Sequence, residues 1–273
     1  MTARALAALP VALLLVLTGC TGQGTGRQGT GPSATPSSAA PRASTAPPLT
    51  GSITVDAAAS LNRVLPELAT QFERQYPGTS IDFSFGGSSA LAAQIVSGAP
   101  VDVFAAASTT TMRTVVDAGR TAADPVVIAR NRLEIAVPAG NPAGITGLAD
   151  FADAKRTVVV CAKEVPCGAA AQKAFRLAGV AAEPDSYEPD VTAVLTKVRT
   201  GEADAGLVYA TDVEAAAGQV EGIAIPQADE ALTSYPIAPL TESRNAALAE
   251  AWTDFVVSNG GDALQAAGFL APR

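Results

Sequence analysis

The chain alternates short apolar runs with longer stretches of helical periodicity from residue 51 onwards. Runs such as TVVVCA (157–162) and AGLVYA (205–210) are apolar throughout, as strands buried on both faces are. Helical patterns of about 10–15 residues separate them, and we expect helices over 60–76, 88–97, 109–118, 146–154, 168–178 and 191–200 and within 242–267. This alternation predicts an α/β fold with mostly parallel sheets flanked by helices.

Composition excludes several classes of function. The chain carries 18 lysine and arginine residues against 26 aspartate and glutamate residues, a formal charge of −8, and contains no histidine. Nucleic acid is therefore not a predicted partner, because binding it requires a basic patch. Without histidine no Ser–His or Cys–His pair can form, and we predict a protein that is not an enzyme and has no cofactor. A hydrolase based on paired carboxylates stays open on composition, but it would need acids at strand ends, which carry mainly alanine, glycine and serine.

The N-terminal region has the layout of an export signal followed by a tether. Arg4 precedes an apolar run that is too short to span a bilayer, and the run ends in LTGC at 17–20, which resembles a bacterial lipobox. We expect residues 1–19 to be a signal peptide and Cys20 to be lipidated, with the protein held at the outer face of the cytoplasmic membrane. An ordinary cleaved signal with a chance cysteine is the alternative. Residues 20–50 contain few large apolar side chains and are predicted to be a flexible tether.

Small residues stand at the junctions where predicted strands lead into predicted helices. Open α/β sheets bind ligands at such junctions, and here they carry Ser60, Ser88 or Ser89, Cys167 with Gly168, and Asp190 with Val191. Tyr209 ends a further strand. Each serine alone is explained as a helix cap, and we expect Ser60 to cap helix 60–76. Together, hydroxyls and free helix N–H groups without a basic residue favour a small bound anion.

Neutral donors select among anions by size and protonation state. A fully deprotonated tetrahedral oxyanion such as molybdate, tungstate or sulfate has only acceptor oxygens, so N–H and O–H groups satisfy it. A phosphate that still carries a proton also needs an acceptor. Asp56 is near enough in sequence to Ser60 to supply one, although strand alternation favours a side chain that points away.

Several blocks resemble bacterial molybdate-binding proteins of ABC importers. These are ITVDAAASL, FGGSSALAAQIVSGAPVDVF, VPCG, the DV at 190–191 and GLVYATD, and the likeness runs from about Gly51 to the AGF at 267–269. The resemblance implies a two-lobed periplasmic-binding fold of type II with molybdate or tungstate in the cleft. It also implies hydroxyl or N–H donors at Ser60, Ser88 and Tyr209 and backbone N–H donors at Cys167 and Val191. Asp56 and Cys167 depart from the residues common at those positions in the family.

The two cysteines other than Cys20 are an even number in an exported chain, and we predict a disulfide between Cys161 and Cys167. Reduced thiols are the alternative, and two cysteines without histidine are too few for a zinc site, so no metal site is expected beyond the oxyanion itself.

The predicted function is capture of molybdate, and also tungstate, for delivery to an ABC permease in the membrane, by a monomer. The alternative is a receptor for sulfate, thiosulfate or phosphate. We expect one lobe to comprise residues 51–130 and 237–273 and the other 131–236.

Overall fold

The computed structural model describes residues 48–272. The predicted signal peptide, Cys20 and most of the predicted tether lie outside the described residues. None of the helices within 48–272 is both long enough and apolar enough to cross a membrane.

Two five-stranded sheets form the framework of these residues. The first has the order β2-β1-β3-β10-β4, with β1 at Gly51–Ala58, β2 at Thr79–Gly86, β3 at Val103–Ala105, β4 at Val126–Asn131 and β10 at Thr233–Pro239. The second has the order β7-β6-β8-β5-β9, with β5 at Leu133–Pro138, β6 at Val158–Cys161, β7 at Ser186–Glu188, β8 at Ala205–Tyr209 and β9 at Val220–Ala224. Each sheet is the centre of one lobe.

Helices connect and cover the strands. They are α1 at Val64–Gln75, α2 at Ser88–Val96, α3 at Thr109–Asp117, α4 at Pro166–Ala178, α5 at Val191–Arg199, α6 at Ala210–Ala215, α7 at Ala246–Asn259 and α8 at Gly261–Ala266. Short 3-10 helices lie at Ala59–Leu61, Leu148–Ala152 and Pro226–Asp229. The predicted α/β fold is confirmed, while β4 and α6 were not predicted.

Both sheets are mixed. In the first, β2, β1 and β3 run parallel, whereas β10 is antiparallel to β3 and β4. In the second, β7, β6 and β8 run parallel, whereas β5 is antiparallel to β8 and β9. The antiparallel strands are those next to the crossings between lobes, where the chain enters one sheet from the other. Apolar runs do not reveal this direction, since buried strands of either kind look alike in sequence.

The chain crosses between the sheets twice. It leaves the first sheet after Asn131 and returns between β9 and β10. Ile225 and Ala231 pack in the core of the second lobe, whereas Tyr235 packs in the core of the first. The predicted boundary after residue 236 falls inside β10.

Helix α5 packs directly on β8 at Gly206. A Cβ at this position would lie 2.6 Å from Cγ1 of Val194, closer than carbon atoms pack, and 3.0 Å from Cγ2 of Val198, which is also tight. The absence of a side chain therefore lets the helix lie against the strand, which places the N-terminus of α5 at the carboxyl edge of the second sheet.

Gly206→Ala is expected to lower the free energy of unfolding by about 1–3 kcal/mol, because the added methyl group overpacks this contact. Chemical denaturation of both proteins measures the difference. Gly147→Ala is the matched control, because a Cβ there meets nothing within 4 Å and its backbone is extended, with φ 175°. Equal stability of Gly206→Ala and the control would contradict this account of the packing.

Candidate functional site

A small cavity of about 20 Å³ lies where strand ends of both lobes meet helix N-termini. It is lined by Ala58, Ala59, Ser60, Gly86, Gly87, Ser88 and Ala107 from the first lobe and by Val165, Pro166, Cys167, Asp190, Val191 and Tyr209 from the second. All five residues predicted to bind a ligand are in this set. The structure thus brings them together around one space, while their role as ligand donors stays a prediction.

Ser60 does not cap a helix, contrary to the expectation from sequence. It lies in the 3-10 helix Ala59–Leu61, and α1 begins only at Val64 without a side-chain cap. The Ser60 hydroxyl is instead 2.8 Å from the hydroxyl of Tyr235, and both side chains are buried. The spacing of the apolar residues predicted helix α1 correctly but not where it begins. Ser60 does not mark the start, because its hydroxyl contacts a residue far away in the sequence.

Ser88 is the first residue of α2 and is buried. Gly87 occupies the N-cap position, so the cap expected at Ser88 or Ser89 is not made by a serine side chain. The Ser88 hydroxyl accepts a hydrogen bond from the backbone N–H of Ala107 at 3.0 Å. This contact uses a lone pair of the oxygen and leaves the hydroxyl hydrogen available to an acceptor.

Helices α4 and α5 present their N-termini to the cavity. Cys167 lies in the first turn of α4, and Val191 is the first residue of α5. First-turn N–H groups have no acceptor within their own helix and carry the positive end of its dipole. Asp190 caps α5, because its Oδ1 accepts from the N–H of Ala193 at 2.9 Å.

The loop before α4 is closed by a disulfide between Cys161 and Cys167, as the sequence predicts, with Cα atoms 5.7 Å apart. The bond joins the end of β6 to the first turn of α4. It therefore ties the Cys167 N–H to a buried strand of the second sheet.

The Tyr209 side chain is 1% exposed, and its hydroxyl has no hydrogen-bond partner among the described residues. Burial, followed by the nearby Tyr235, raises the pKa of Tyr209 well above its ordinary value. The hydroxyl thus keeps its proton. A buried donor without a partner is unfavourable, and here the residue lines a cavity in which an acceptor could relieve it.

The cavity has no cationic side chain among the described residues that line it. The carboxylate of Asp190 is the charged group in this lining, and it is already bonded to α5. Asp56 is buried but does not line the cavity, and burial, opposed by a hydrogen bond from Ser84, raises its pKa to about 6. No group of three or more cysteine, aspartate or glutamate residues that could hold a metal ion is present within 48–272.

Sequence reasoning missed the residues behind Ser60. Asn131 and Tyr235 are fully buried at the two crossings between lobes, and the Asn131 Nδ2 is 3.4 Å from the Tyr235 hydroxyl. Both are polar residues in strands that also carry other polar side chains, so no local pattern distinguishes them or identifies their hydrogen-bond partners.

The lobes also contact each other directly beside the cavity. Ser89 Oγ donates to the backbone carbonyl of Glu164 at 2.6 Å. A Cβ on Gly87 would lie 2.3 Å from the carbonyl oxygen of Pro189. Ala59 packs in the hydrophobic core of the second lobe. The structure therefore has the lobes closed on each other around the cavity.

Comparison with known proteins identifies similar chains. The family model described as "Bacterial extracellular solute-binding protein" matches residues 53–270. The molybdate-binding protein ModA of Mycobacterium tuberculosis strain H37Rv is 40% identical over 233 residues, which cover 84% of this chain and 89% of that protein.

Solved structures with this fold include the periplasmic molybdate-binding protein of Azotobacter vinelandii, with a TM-score of 0.67 and 20% identity over 81% of this chain and 100% of that one. They also include the sulfate-binding protein SubI of Mycobacterium tuberculosis, with a TM-score of 0.66 and 18% identity over 80% and 86% of the two chains.

Asp212 predicts how stability depends on pH. Its carboxylate is buried behind the cavity and accepts from the N–H of Tyr209 at 3.0 Å. Burial and, less strongly, the nearby Asp190 raise its pKa from 3.8 to about 7, although the Tyr209 N–H opposes the shift. The folded protein therefore binds a proton that the unfolded chain has released, so stability rises as pH falls from 8 through 7 towards 4.

Asp212→Asn keeps an acceptor oxygen and removes the charge. We expect the variant to be more stable than the parent at pH 8, by the order of 2–4 kcal/mol, with the difference vanishing near pH 4. The rise in stability that remains in the variant between pH 7 and pH 4 is assigned to Asp56. Denaturant unfolding at several pH values measures both, and a variant that follows the parent at every pH would contradict the assignment.

Proposed function

The chain belongs to the bacterial extracellular solute-binding proteins, and from this premise we propose that it captures molybdate, and also tungstate, for an ABC-type permease. Members of such a family bind solutes rather than transform them, so the protein is a binding protein and not an enzyme. The 40% identity to a molybdate-binding protein over most of both chains supports molybdate as the solute.

One observation carries the proposal: a buried tyrosine, whose hydroxyl has no partner within 48–272, lines a small cavity that also receives two helix N-termini and two serines. Every one of these groups has a hydrogen to donate. A ligand that consists of acceptor oxygens around one centre matches such a surface.

We assign the hydroxyls of Ser60, Ser88 and Tyr209 and the backbone N–H groups of Cys167 and Val191 as the ligand donors. They come from both lobes, so only the closed arrangement offers all of them at once. Ligand binding then stabilises closure by differential affinity for the closed state. In this proposal the first lobe comprises residues 51–131 and 233–273, and the second occupies the span between them.

The hydrogen-bond donors of the site, and not its charge, favour a fully deprotonated anion. Hydrogenphosphate needs an acceptor for its proton, and Asp56, the acceptor considered from the sequence, does not line the cavity. Sulfate and thiosulfate have the right chemistry and differ from molybdate in size. A sulfate-binding protein has the same fold, so the fold alone does not separate these anions and the test must include them.

Delivery and location complete the proposal. Export, lipidation of Cys20 and a tether up to residue 50 would hold a monomer at the outer face of the cytoplasmic membrane, within reach of the permease. These segments are proposed on their sequence features, and Cys20 lies outside the described residues.

The test of the function is thermal unfolding of the purified protein against molybdate, tungstate, sulfate, thiosulfate and phosphate. A ligand at a hundred times its dissociation constant adds about 2.7 kcal/mol, which raises the melting temperature by about 5–10 °C in a domain of this size. We expect a rise with molybdate and tungstate. A rise with sulfate, thiosulfate or phosphate alone would show that this anion, and not molybdate, is the ligand. Absence of a rise with all five anions would refute the function.

Ser60→Ala and Ser88→Ala test the assigned donors in the same experiment and by titration calorimetry. Each is expected to weaken molybdate binding by about 1.5–3 kcal/mol, because a hydrogen bond to a charged group is lost. Ser97→Ala at the other end of α2 is the matched control, since Ser97 is exposed. Unchanged affinity in both variants would refute the site.

Gly87→Ala tests closure. Its methyl group would collide with the Pro189 carbonyl of the other lobe, so we expect a more open protein with a larger radius of gyration in X-ray scattering and about tenfold weaker molybdate binding. Gly261→Ala is the control, because a Cβ there meets nothing within 4 Å. If Gly87→Ala has the same radius of gyration and the same affinity for molybdate as the control, the contact between Gly87 and Pro189 does not control closure.

A further inference from the structure

A chain of buried hydrogen bonds leads from the crossings between the lobes to Ser60. The Asn131 Nδ2 donates to the hydroxyl of Tyr235 at 3.4 Å and to Oγ1 of Thr211 at 2.9 Å. The Tyr235 hydroxyl is in turn 2.8 Å from Ser60 Oγ. Asn131 ends β4, Tyr235 lies in β10 and Thr211 lies in α6, so the chain joins both crossings and both lobes to one cavity residue.

The direction of this chain is fixed at Asn131. The backbone N–H of Arg132 donates to Asn131 Oδ1 at 2.9 Å. The amide oxygen must therefore face the backbone, and the amide nitrogen must face Tyr235 and Thr211. The two hydrogens of Nδ2 match these two acceptors.

The same logic continues at Tyr235. Burial is the main cause that raises its pKa above the ordinary range, so the hydroxyl keeps its single proton. Its oxygen accepts from Asn131. Ser60 Oγ lies 2.8 Å from the Tyr235 hydroxyl, a contact in which either hydroxyl can donate. With Tyr235 as the donor, Ser60 receives a hydrogen bond on its oxygen, and its own hydrogen is free to turn to the cavity.

We propose that Asn131 and Tyr235 are positioning residues that hold Ser60 as a hydrogen-bond donor to the cavity and thereby select oxyanions without a proton. This inference rests on the proposed function and deepens it. An acceptor oxygen of molybdate meets the Ser60 hydrogen directly. At this point the protonated oxygen of hydrogenphosphate would place its hydrogen against the Ser60 hydroxyl hydrogen. Ser60 could accept that proton's hydrogen bond only by rotating its hydroxyl, which would break the hydrogen bond from Tyr235.

Tyr235→Phe is the decisive variant, because it keeps the ring that packs edge-on against Tyr209 and Phe269 and removes only the hydroxyl. We expect the dissociation constant for molybdate to rise about tenfold, as for the loss of one hydrogen bond. The dissociation constant for hydrogenphosphate, measured by competition, is not expected to rise by the same factor. The ratio of the two dissociation constants is therefore expected to become smaller in the variant. Tyr187→Phe is the control, since Tyr187 is 55% exposed, and it should leave both constants unchanged.

A double-mutant cycle with Ser60→Ala separates positioning from packing. If Tyr235 acts through Ser60, then Tyr235→Phe has no further effect on molybdate binding once Ser60 is alanine. Additive losses of affinity, or equal weakening towards both anions, would mean that Tyr235 has only a structural role and would overturn the inference.

The same double-mutant cycle can be measured by denaturant unfolding of the ligand-free protein. This measurement does not depend on ligand binding, so it distinguishes failure of the inference from failure of the proposed function. Absence of binding of every anion to the parent protein would refute the proposed function. In that case non-additive shifts of the unfolding midpoint would support the hydrogen-bonded chain, and additive shifts would overturn it.

Discussion

A site that holds an anion without lysine or arginine depends on placing N–H and O–H donors accurately, because each one is weak alone and none attracts the ligand from a distance. The fold meets this constraint through its strand ends. Parallel strands bring the N-termini of α2, α4 and α5 to common edges, and the Gly206 contact and the Cys161–Cys167 disulfide set where α5 and α4 begin. The position of the cavity follows from how these strands and helices pack.

The polar groups behind the cavity form specific hydrogen bonds that hold the residues lining it. Tyr209 is tied through its backbone to Asp212, and Ser60 is tied through Tyr235 to Asn131. Both arrangements lie next to the crossings between the lobes. A change in the angle between the lobes would therefore disturb the donors themselves as well as the distance between them, which couples the geometry of the site to closure.

Much of this arrangement could be predicted from the sequence, and the parts that could not have physical reasons. Strand ends with small residues predicted Ser60, Ser88 or Ser89, Cys167, Val191 and Tyr209 to be neighbours, because the carboxyl ends of parallel strands meet in space. The family resemblance then selected Ser88. The pairing of Ser60 with Tyr235 spans 175 positions, and no local pattern records such a contact. The direction of β10 was hidden for a similar reason, since a buried strand has the same composition in either orientation.

The cavity without cations also bears on how fast a ligand arrives. The chain carries a formal charge of −8, and no positive side chain lines the cavity to offset it. A doubly charged anion therefore approaches against the net charge of the protein, and the positive dipole ends of α4 and α5 offset this repulsion only close to the cavity. Dissolved salt screens this repulsion over about 10 Å at 0.1 M. The rate of anion capture by this protein is thus expected to increase with salt concentration. The opposite holds for a receptor that attracts its anion with arginine side chains.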